Sequence, residues 1–428
     1  MSLKSSDSAN IWHPYTQMKL NPETIPLVKG EGSWLIDEDG NRILDAISSW
    51  WVNTHGHCHP HIAKRVSEQL STLEHSIFAG FTHPRAVEIA EKLVGQLKQQ
   101  DRVFFSDNGS TAVEVALKMS MQYWHNQGIE RPKIVALEGA YHGDTFGAMS
   151  VSGRSAFTNA FERYFFEVEH LPFPSPGNEE AAKTAMQQAL SGGEVAAFIF
   201  EPLVQGASGM RMYAPEVLQT LVSMARQAGA LIIADEVFSG FGRTGKWFAT
   251  DHIEAAPDIY CLSKGLTGGA MALGITTCQK FVYEAFLSDD RMKTFFHGHS
   301  FTANPVACAA ACASFELFEE AQTWTNIHRI IAQHEAKVAT FESHPAVREV
   351  RLQGTILAVD FEAGGGTGYF NAIRDEAYQY FLERGVLLRP LGNTIYTVPP
   401  YCISEAELEN VYTLMLEFAN RLVSAEAG

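Results

Sequence analysis

The stretch from residue 231 to residue 265, LIIADEVFSGFGRTGKWFATDHIEAAPDIYCLSKG, decides the fold. It contains two short runs of mainly apolar residues, Leu231–Ala234 and Asp258–Leu262. Such runs suit strands that are covered on both faces, as in a mainly parallel sheet. Asp235 directly follows the first run, and Lys264 stands two residues after the second. A buried sheet with charged groups at its strand ends is therefore predicted.

Runs of the same kind recur upstream, and helical patterns separate them. Further strands are predicted at Arg102–Phe105, Lys133–Leu137 and Ala196–Phe200. Helices are predicted at Thr111–Trp124 and at Pro215–Ala228, where Pro stands in the first turn and Gly follows the end. Alternating strands and helices predict an α/β fold with a mainly parallel central sheet flanked by helices.

The final third has a different pattern. Two long helices are predicted over residues 304–320 and 324–342, and a third near Ala372–Arg384, with strand-like segments between and after them. We expect a smaller α+β domain there, joined by the strand-like pieces of the first fifty residues. The predicted division is an N-terminal segment of the small domain at 1–55, a large domain at 56–310 and the C-terminal small domain at 311–428.

Composition excludes some classes of partner. The 428 residues carry a formal net charge of −17, which argues against binding to nucleic acid or to an anionic membrane surface. The N-terminal residues lack the apolar segment of a secretory signal, and no apolar run is long enough to span a bilayer. The six cysteines are scattered and form no C-x-x-C pair. A cytoplasmic enzyme with reduced thiols and no metal site is expected.

Asp235 and Lys264 are the first candidates for chemistry. Ligands of open α/β sheets bind outside the carboxyl ends of the strands. The alternatives are a buried ion pair between the two side chains, or a helix cap by Asp235. One chemistry uses both residues: a lysine in a dry pocket forms an imine with an aldehyde cofactor, and a carboxylate keeps a pyridine nitrogen protonated. This favours pyridoxal 5'-phosphate.

That cofactor needs a phosphate site. The segment SDNGST, residues 106–111, lies between a predicted strand and the helix predicted to open at Thr111. Backbone N–H groups at a helix start, together with hydroxyl groups, bind anions. The alternative is a helix cap alone, with a capping box formed by Thr111 and Glu114.

Two other motifs point less clearly to function. Gly240–Lys246 fits G-x-x-x-x-G-K, but Trp247 stands where a P-loop needs Ser or Thr, so we expect no nucleotide site and at most a positive charge from Arg243 at the edge of the site. The segment HGHCHPH, residues 55–61, resembles a metal tract. Its strict alternation and Pro60 instead favour a turn followed by a helix start.

The residues resemble the class III aminotransferases, which have fold type I. The resemblance rests on LIIADEVFSGFGRTGKWFA, PDIYCLSKGLTGG, EPLVQG, YHGDTFGAMS and NPVACAAA, and it extends from about Ile11 to Tyr401. It implies that Lys264 is the Schiff-base lysine and that Asp235 pairs with the pyridine nitrogen. It also implies a homodimer with shared active sites.

Further cofactor roles follow from the same resemblance. Gly109 and Ser110 would hold the phosphate, and Tyr141 would stack on the pyridine ring. Ser300 would reach the phosphate of the other subunit, with His299 beside it as a further cofactor-binding residue. Tyr141 as simple core packing is the alternative.

Three stretches are similar to the biotin-pathway members of the class, which make 7,8-diaminononanoate from 8-amino-7-oxononanoate with adenosylmethionine as amino donor. They are IWHPYT, SSWW and LLRPLGNTIYTVPPY. The similarity implies that Tyr15 and Trp50 line the substrate pocket beside Tyr141, Gly298 and Lys264. Tyr15 is also expected to serve catalysis, and Arg389 to bind the substrate carboxylate. Interface aromatics, and an anchor for the N-terminus, are the alternatives for Trp50 and Tyr15.

Two adjacent positions depart from these enzymes, which have Pro-Thr where this chain has His299-Ser300. Ser300 keeps the hydroxyl, whereas His299 adds a polar group near the substrate mouth, so lysine remains an alternative donor. The rival functions are another class III ω-amino acid transaminase or aminomutase, and a cofactor-binding protein without catalysis.

Overall fold

The computed structural model describes residues 2–20, 24–362 and 373–426. Its strands, in chain order, are β1 (Leu27–Glu31), β2 (Trp34–Asp37), β3 (Arg42–Asp45), β4 (Arg102–Ser106), β5 (Lys133–Leu137), β6 (Val168–Leu171), β7 (Val195–Phe200), β8 (Val204–Gln205), β9 (Arg211–Met212), β10 (Leu231–Asp235), β11 (Ile259–Leu262), β12 (Gly274–Cys278), β13 (Val347–Gln353), β14 (Ile356–Phe361), β15 (Val386–Leu387) and β16 (Thr394–Thr397).

The α-helices surround these strands. They are α1 (Leu3–Asn10), α2 (Ser48–Trp51), α3 (Pro60–Thr72), α4 (Pro84–Gln96), α5 (Gly109–Asn126), α6 (Phe146–Val151), α7 (Glu179–Leu190), α8 (Pro215–Gln227), α9 (Lys280–Glu284), α10 (Pro305–Glu319), α11 (Ala321–Glu342), α12 (Ile373–Glu383) and α13 (Glu405–Glu426). Within the described ranges, none is both long and apolar enough to cross a membrane.

A seven-stranded sheet forms the centre of the molecule, in the order β4-β12-β11-β10-β7-β5-β6. All neighbours are parallel except β12, which is antiparallel to both β11 and β4. Strands β7, β10 and β11 are buried along their whole length, as their unbroken apolar runs require. Because only β12 is reversed, the carboxyl ends of the other strands meet at one edge.

The two chain ends share smaller sheets. Strands β1, β2 and β3 form an antiparallel meander, and β15 adds to β3 in parallel. Strands β13, β14 and β16 form a separate antiparallel sheet. The N–H of Val398, just after β16, donates to the carbonyl of Ala46, just after β3 (3.0 Å). The first fifty residues are therefore built into the C-terminal part of the chain.

The α/β fold with a mainly parallel sheet is confirmed. The five predicted strands agree with the structure to within one residue at each end, and the predicted helices to within three. Strands β6 and β12 were not predicted. The division at residues 55/56 and 310/311 stays a prediction. Met1, the final residues 427–428 and Ala372, the first residue of a predicted helix, lie outside the described residues.

Candidate active site

A cavity of about 640 Å³ opens where the carboxyl ends of the central strands meet. Its lining includes Ser110, Tyr141, Glu201, Asp235 and Lys264. Each of these residues ends or follows a different strand of the central sheet. Clefts of this size bind small molecules, and in open α/β sheets they commonly lie outside the carboxyl ends of the strands.

Lys264 enters this cavity from the turn after β11. Its backbone has a positive φ of 47°, and its Nζ lies over the ring of Trp51 at 4.8 Å and that of Phe238 at 5.6 Å. Burial lowers the pKa of Lys264 from 10.5 to about 8, against the opposing influence of the Asp235 carboxylate. Among the ion pairs of the described residues, none joins Lys264 to Asp235. The amine of Lys264 therefore loses its proton at a lower pH than a free lysine does.

Asp235 ends β10 and is almost completely buried. Its Oδ2 lies 2.6 Å from Nδ1 of His142, and its Oδ1 accepts the N–H of Val237 (3.1 Å). The other ring nitrogen of His142 is buried without a hydrogen-bond partner. Sequence reasoning missed His142, which stands 93 positions away from Asp235. Its place in YHGDTFGAMS, beside Tyr141, was the available signal.

Glu201 is a second carboxylate of the cavity that sequence reasoning did not single out, although it opens the EPLVQG motif after β7. It accepts the N–H groups of Tyr141 (2.8 Å) and Gly206 (3.2 Å). Burial raises the pKa of Glu201 to about 7, which the positive field of His142 partly offsets. Glu201 thus fixes the backbone of the loop that carries Tyr141 and His142.

The predicted phosphate site lies at the start of α5. Helix α5 begins at Gly109, two residues before the predicted start at Thr111, because Asn108 caps it: Asn108 Oδ1 accepts the Thr111 N–H, and Thr111 Oγ1 accepts the Asn108 N–H. The predicted capping box of Thr111 with Glu114 is therefore wrong. Glu114 instead accepts the N–H groups of Gly147 and Ala148.

Close packing shapes this helix start into a cradle. A Cβ on Gly109 would lie 2.6 Å from the side chain of Val237, and Gly143, with φ of 126°, passes directly over Ser110. Ser110 Oγ accepts the N–H of Thr145 (3.0 Å) and lies 2.8 Å from its hydroxyl. Because Asn108 accepts the Thr111 N–H, the N–H groups of Gly109 and Ser110 are the ones at this helix start that are suited to an anion.

The expected substrate residues lie next to one another at the mouth. The hydroxyl of Tyr15 lies 3.2 Å from that of Tyr141 and donates to Asp144. The Tyr15 ring meets Trp50 edge-on, with centroids 5.6 Å apart, and the Arg389 guanidinium lies 4.7 Å from the centroid of a Trp50 ring. A row of contacting side chains therefore links Tyr141, in the lining of the cavity, to Arg389. Tyr15, Trp50 and Arg389 come from distant parts of the chain and lie outside that lining.

Three expected residues lie apart from this group. Gly298 and Ser300 are exposed and His299 is half-buried, and none of the three is in the lining of the cavity. His299 Nδ1 accepts the N–H of Phe301 (3.2 Å). Within this chain, the structure does not bring these residues to Lys264.

The two remaining motifs have structural surroundings. Arg243, expected as a positive charge at the edge of the site, is buried, and its guanidinium donates to the carbonyls of Pro399 (2.8 Å) and Trp51 (3.4 Å). Together with burial, its charge contributes to the lowered pKa of Lys264. Pro60 opens α3 with His59 as its N-cap, which confirms the predicted helix start.

The other three histidines of the HGHCHPH segment face different neighbours. His55 pairs with Ser314, His57 with Asp45 and His61 with Glu316. Each ring is thus engaged separately in the packing of the segment.

Comparison with known proteins identifies the family. The model of the family "Aminotransferase class-III" matches residues 15–418. The chain is a class III aminotransferase. This confirms the family assignment made from the sequence motifs. Its relatives include the adenosylmethionine-8-amino-7-oxononanoate aminotransferases of Synechococcus elongatus (47% identical, covering 96% of this chain and 99% of the relative) and Geobacter sulfurreducens (40% identical, 95% of each chain).

Solved structures agree with the fold of this aminotransferase. The adenosylmethionine-8-amino-7-oxononanoate aminotransferase of Methanocaldococcus jannaschii superposes with a TM-score of 0.92, at 33% identity over 98% of each chain. An omega transaminase of Pseudomonas jessenii, solved in complex with PMP, also gives 0.92, at 25% identity over 99% of each chain. The aminotransferase therefore has the fold type I architecture expected from its sequence.

Proposed function

We propose that this aminotransferase uses pyridoxal phosphate to convert 8-amino-7-oxononanoate into 7,8-diaminononanoate in biotin biosynthesis, with S-adenosylmethionine as the amino donor. The names of the relatives support the reaction. The observation that carries it is the row of contacting side chains from Tyr141 in the cavity through Tyr15 and Trp50 to Arg389. A long keto acid needs a cation far from its reacting ketone, and Arg389 is such a cation.

The residues of the cavity fit pyridoxal phosphate. The cradle formed by Gly109, Ser110 and Gly143 offers backbone N–H groups and a hydroxyl, the donors that a phosphate needs. Asp235 provides a buried carboxylate, and Lys264 an amine whose pKa is lowered by burial. When bound, the cofactor supplies an aldehyde that takes up amines and a pyridine ring that accepts electrons from the substrate carbon.

Each residue then has a defined task. Lys264 would hold the cofactor through its amine and would move the proton at the substrate carbon as base and acid. Asp235 would keep a proton on the pyridine nitrogen, and His142 orients that carboxylate through the 2.6 Å hydrogen bond. Tyr141 would stack on the cofactor ring, and Glu201 holds its backbone. Tyr15 and Asp144 close the mouth beside it.

Arg389 and Trp50 set the choice of substrate. A guanidinium binds a carboxylate through two parallel hydrogen bonds. The half-buried Arg389 is held on the face of Trp50, which leaves the edge of its guanidinium to bind a carboxylate. The amino donor needs no such distant cation.

The test is to follow the two half-reactions separately by the absorbance of the bound cofactor. In Arg389→Ala we expect the half-reaction with 8-amino-7-oxononanoate to weaken by about 100-fold in kcat/KM, because a desolvated bidentate pair is worth about 3 kcal/mol. The donor half-reaction should change much less. Arg384→Ala is the matched control, since Arg384 also lies over a ring, that of Tyr380, but away from the cavity. Equal losses in both half-reactions of Arg389→Ala would contradict the assignment.

A general ω-amino acid transaminase is the second candidate, favoured by the match to the Pseudomonas jessenii enzyme. It predicts turnover of simple ω-amino acids with pyruvate and little dependence on Arg389. Lysine is the alternative donor for the first reaction, because His299-Ser300 stands where the biotin-pathway enzymes that the sequence resembles have Pro-Thr.

The proposed active form is a homodimer in which Ser300 holds the phosphate of the partner subunit. Its exposure, and its separation from the cavity of its own chain, support a role in trans.

A further inference from the structure

The segment Ser48–Trp51, SSWW, has an unfavourable backbone. Ser48, Ser49 and Trp51 have φ of 52°, 59° and 66°, although each carries a Cβ. Ser49, with ψ of −92°, lies outside even the small left-handed region that side chains tolerate. Such conformations persist only where the surroundings enforce them.

The enforcing group is the carboxylate of Asp45, which is fully buried. Its Oδ1 accepts the N–H of Ile47 (3.2 Å), and its Oδ2 accepts both the N–H (2.7 Å) and the hydroxyl (3.2 Å) of Ser49. His57 Nε2 lies 2.8 Å from the same Oδ2. The backbone of His57 is fixed in turn, because it exchanges two hydrogen bonds with Gly32 (2.7 and 3.2 Å).

This turn directs two neighbouring indoles to two different cations of the site. The Trp50 ring carries the guanidinium of Arg389, and the Trp51 ring lies under Nζ of Lys264. Trp51 is further fixed by donation from Nε1 to the hydroxyl of Tyr396 (3.1 Å), whereas Trp50 is 42% exposed. Apart from its contacts with Tyr15 and Arg389, the direction of Trp50 therefore depends on the backbone of the turn.

We propose that Asp45 and His57 are positioning residues that hold the Ser48–Trp51 turn, and through it set Trp50 against Arg389 for the keto acid. Neither side chain lines the cavity. The effect on substrate rests on the function proposed above, whereas the effect on the turn does not.

The turn is tested in the full-length protein labelled with 5-fluorotryptophan. The fluorine resonances of Trp50 and Trp51 are assigned with Trp50→Phe and Trp51→Phe. In Asp45→Asn and His57→Phe we expect the Trp50 resonance to shift or broaden, because the carboxylate of Asp45 or the ring N–H of His57 is lost. His57→Gln keeps an N–H donor and should restore it. His61→Phe, the same change at a histidine that pairs with Glu316 instead, is the matched control.

Kinetics give the second readout. In His57→Phe the KM for 8-amino-7-oxononanoate should rise roughly tenfold or more, since small misplacements of binding groups are costly, with the donor KM little changed. An unchanged Trp50 resonance in folded His57→Phe would overturn the proposal, even if Asp45→Asn fails to fold. If the wild type does not turn over this keto acid, the proposed function fails. The fluorine resonances still decide whether Asp45 and His57 hold the Ser48–Trp51 turn.

Discussion

The amine of Lys264 has a pH dependence set by its surroundings. Its pKa of about 8 follows from burial beside Trp51 and Phe238. Only the neutral amine attacks an aldehyde, so the rate at which cofactor-free protein captures pyridoxal phosphate should rise with pH and level off above about pH 8. Nα-acetyllysine is the control and should continue to rise toward about pH 10.4. A protein profile that follows acetyllysine would show that the amine is not desolvated.

His142 provides a second prediction at this scale. His142→Phe removes the hydrogen bond to Asp235, and we expect kcat to fall about tenfold or more, since a hydrogen bond to a charged group is worth about 1.5–3 kcal/mol. His142→Asn keeps an N–H donor near the position of Nδ1 and should recover part of the loss. Steady-state kinetics of the two variants measure kcat. If His142→Asn were no more active than His142→Phe, the hydrogen bond to Asp235 would have no role in catalysis.

The raised pKa of Glu201 makes the stability of the protein depend on pH. Its pKa is about 7 in the folded chain against 4.5 as the ordinary value, so the folded state binds the extra proton between these limits. The stability linked to this group is complete below about pH 4.5 and is lost as pH rises through 7. Glu201→Gln stays neutral, so its melting temperature relative to wild type should increase between pH 5 and pH 8. A constant difference across that range would contradict the raised pKa.

Chemical reasoning from the sequence predicted the charged residues at strand ends, but not their partners. Asp235 and Lys264 stand out because each closes or follows a buried run. Glu201 also follows a buried run, Ala196–Phe200, and was overlooked. His142 carries no such mark, since its importance depends on contact with Asp235, 93 positions away. The burial of Arg243 was not predicted for the same reason: the carbonyls of Trp51 and Pro399 to which it donates are remote in sequence.

At the scale of elements, the start of α5 joins stability to phosphate binding. Asn108→Ala removes the side-chain cap and should lower the free energy of unfolding in urea by about 1 kcal/mol, within a usual range of about 0.5–2 kcal/mol. It should also weaken the binding of pyridoxal phosphate. Asn326→Ala, within α11, is the control and should leave cofactor affinity unchanged. Unaltered stability and affinity in Asn108→Ala would show that the cap does not organise the cradle.

Elements were predictable where burial is continuous. Strands β7, β10 and β11 are buried on both faces, and their apolar runs mark them plainly. Strand β12, GITTC, contains a glycine and two threonines, and its antiparallel direction is fixed by its neighbours β11 and β4 rather than by its own residues. Helix α5 starts two residues before the predicted position because Asn108 caps it. The sequence did not distinguish this cap from a capping box at Thr111.

The whole molecule is expected to work as a dimer, and complementation tests this. If Ser300 acts on the partner's phosphate, Lys264→Ala and Ser300→Glu each disable both sites of their own homodimers. A mixed dimer regains one intact site, which combines Lys264 of one subunit with Ser300 of the other. Unfolding and refolding the two variants together should therefore restore activity, whereas refolding each alone should not. Failure to restore activity in confirmed mixed dimers would place Ser300 in its own subunit's site.

The central claim concerns the reaction, and one measurement tests it most directly. Purified protein with pyridoxal phosphate is mixed with 8-amino-7-oxononanoate and either S-adenosylmethionine or lysine, and the products are analysed by mass spectrometry, with Lys264→Ala as the blank. We predict 7,8-diaminononanoate with S-adenosylmethionine and none in the blank. Formation with lysine alone would change the donor. The absence of this product with both donors, in a protein that transaminates simple ω-amino acids, would contradict the account.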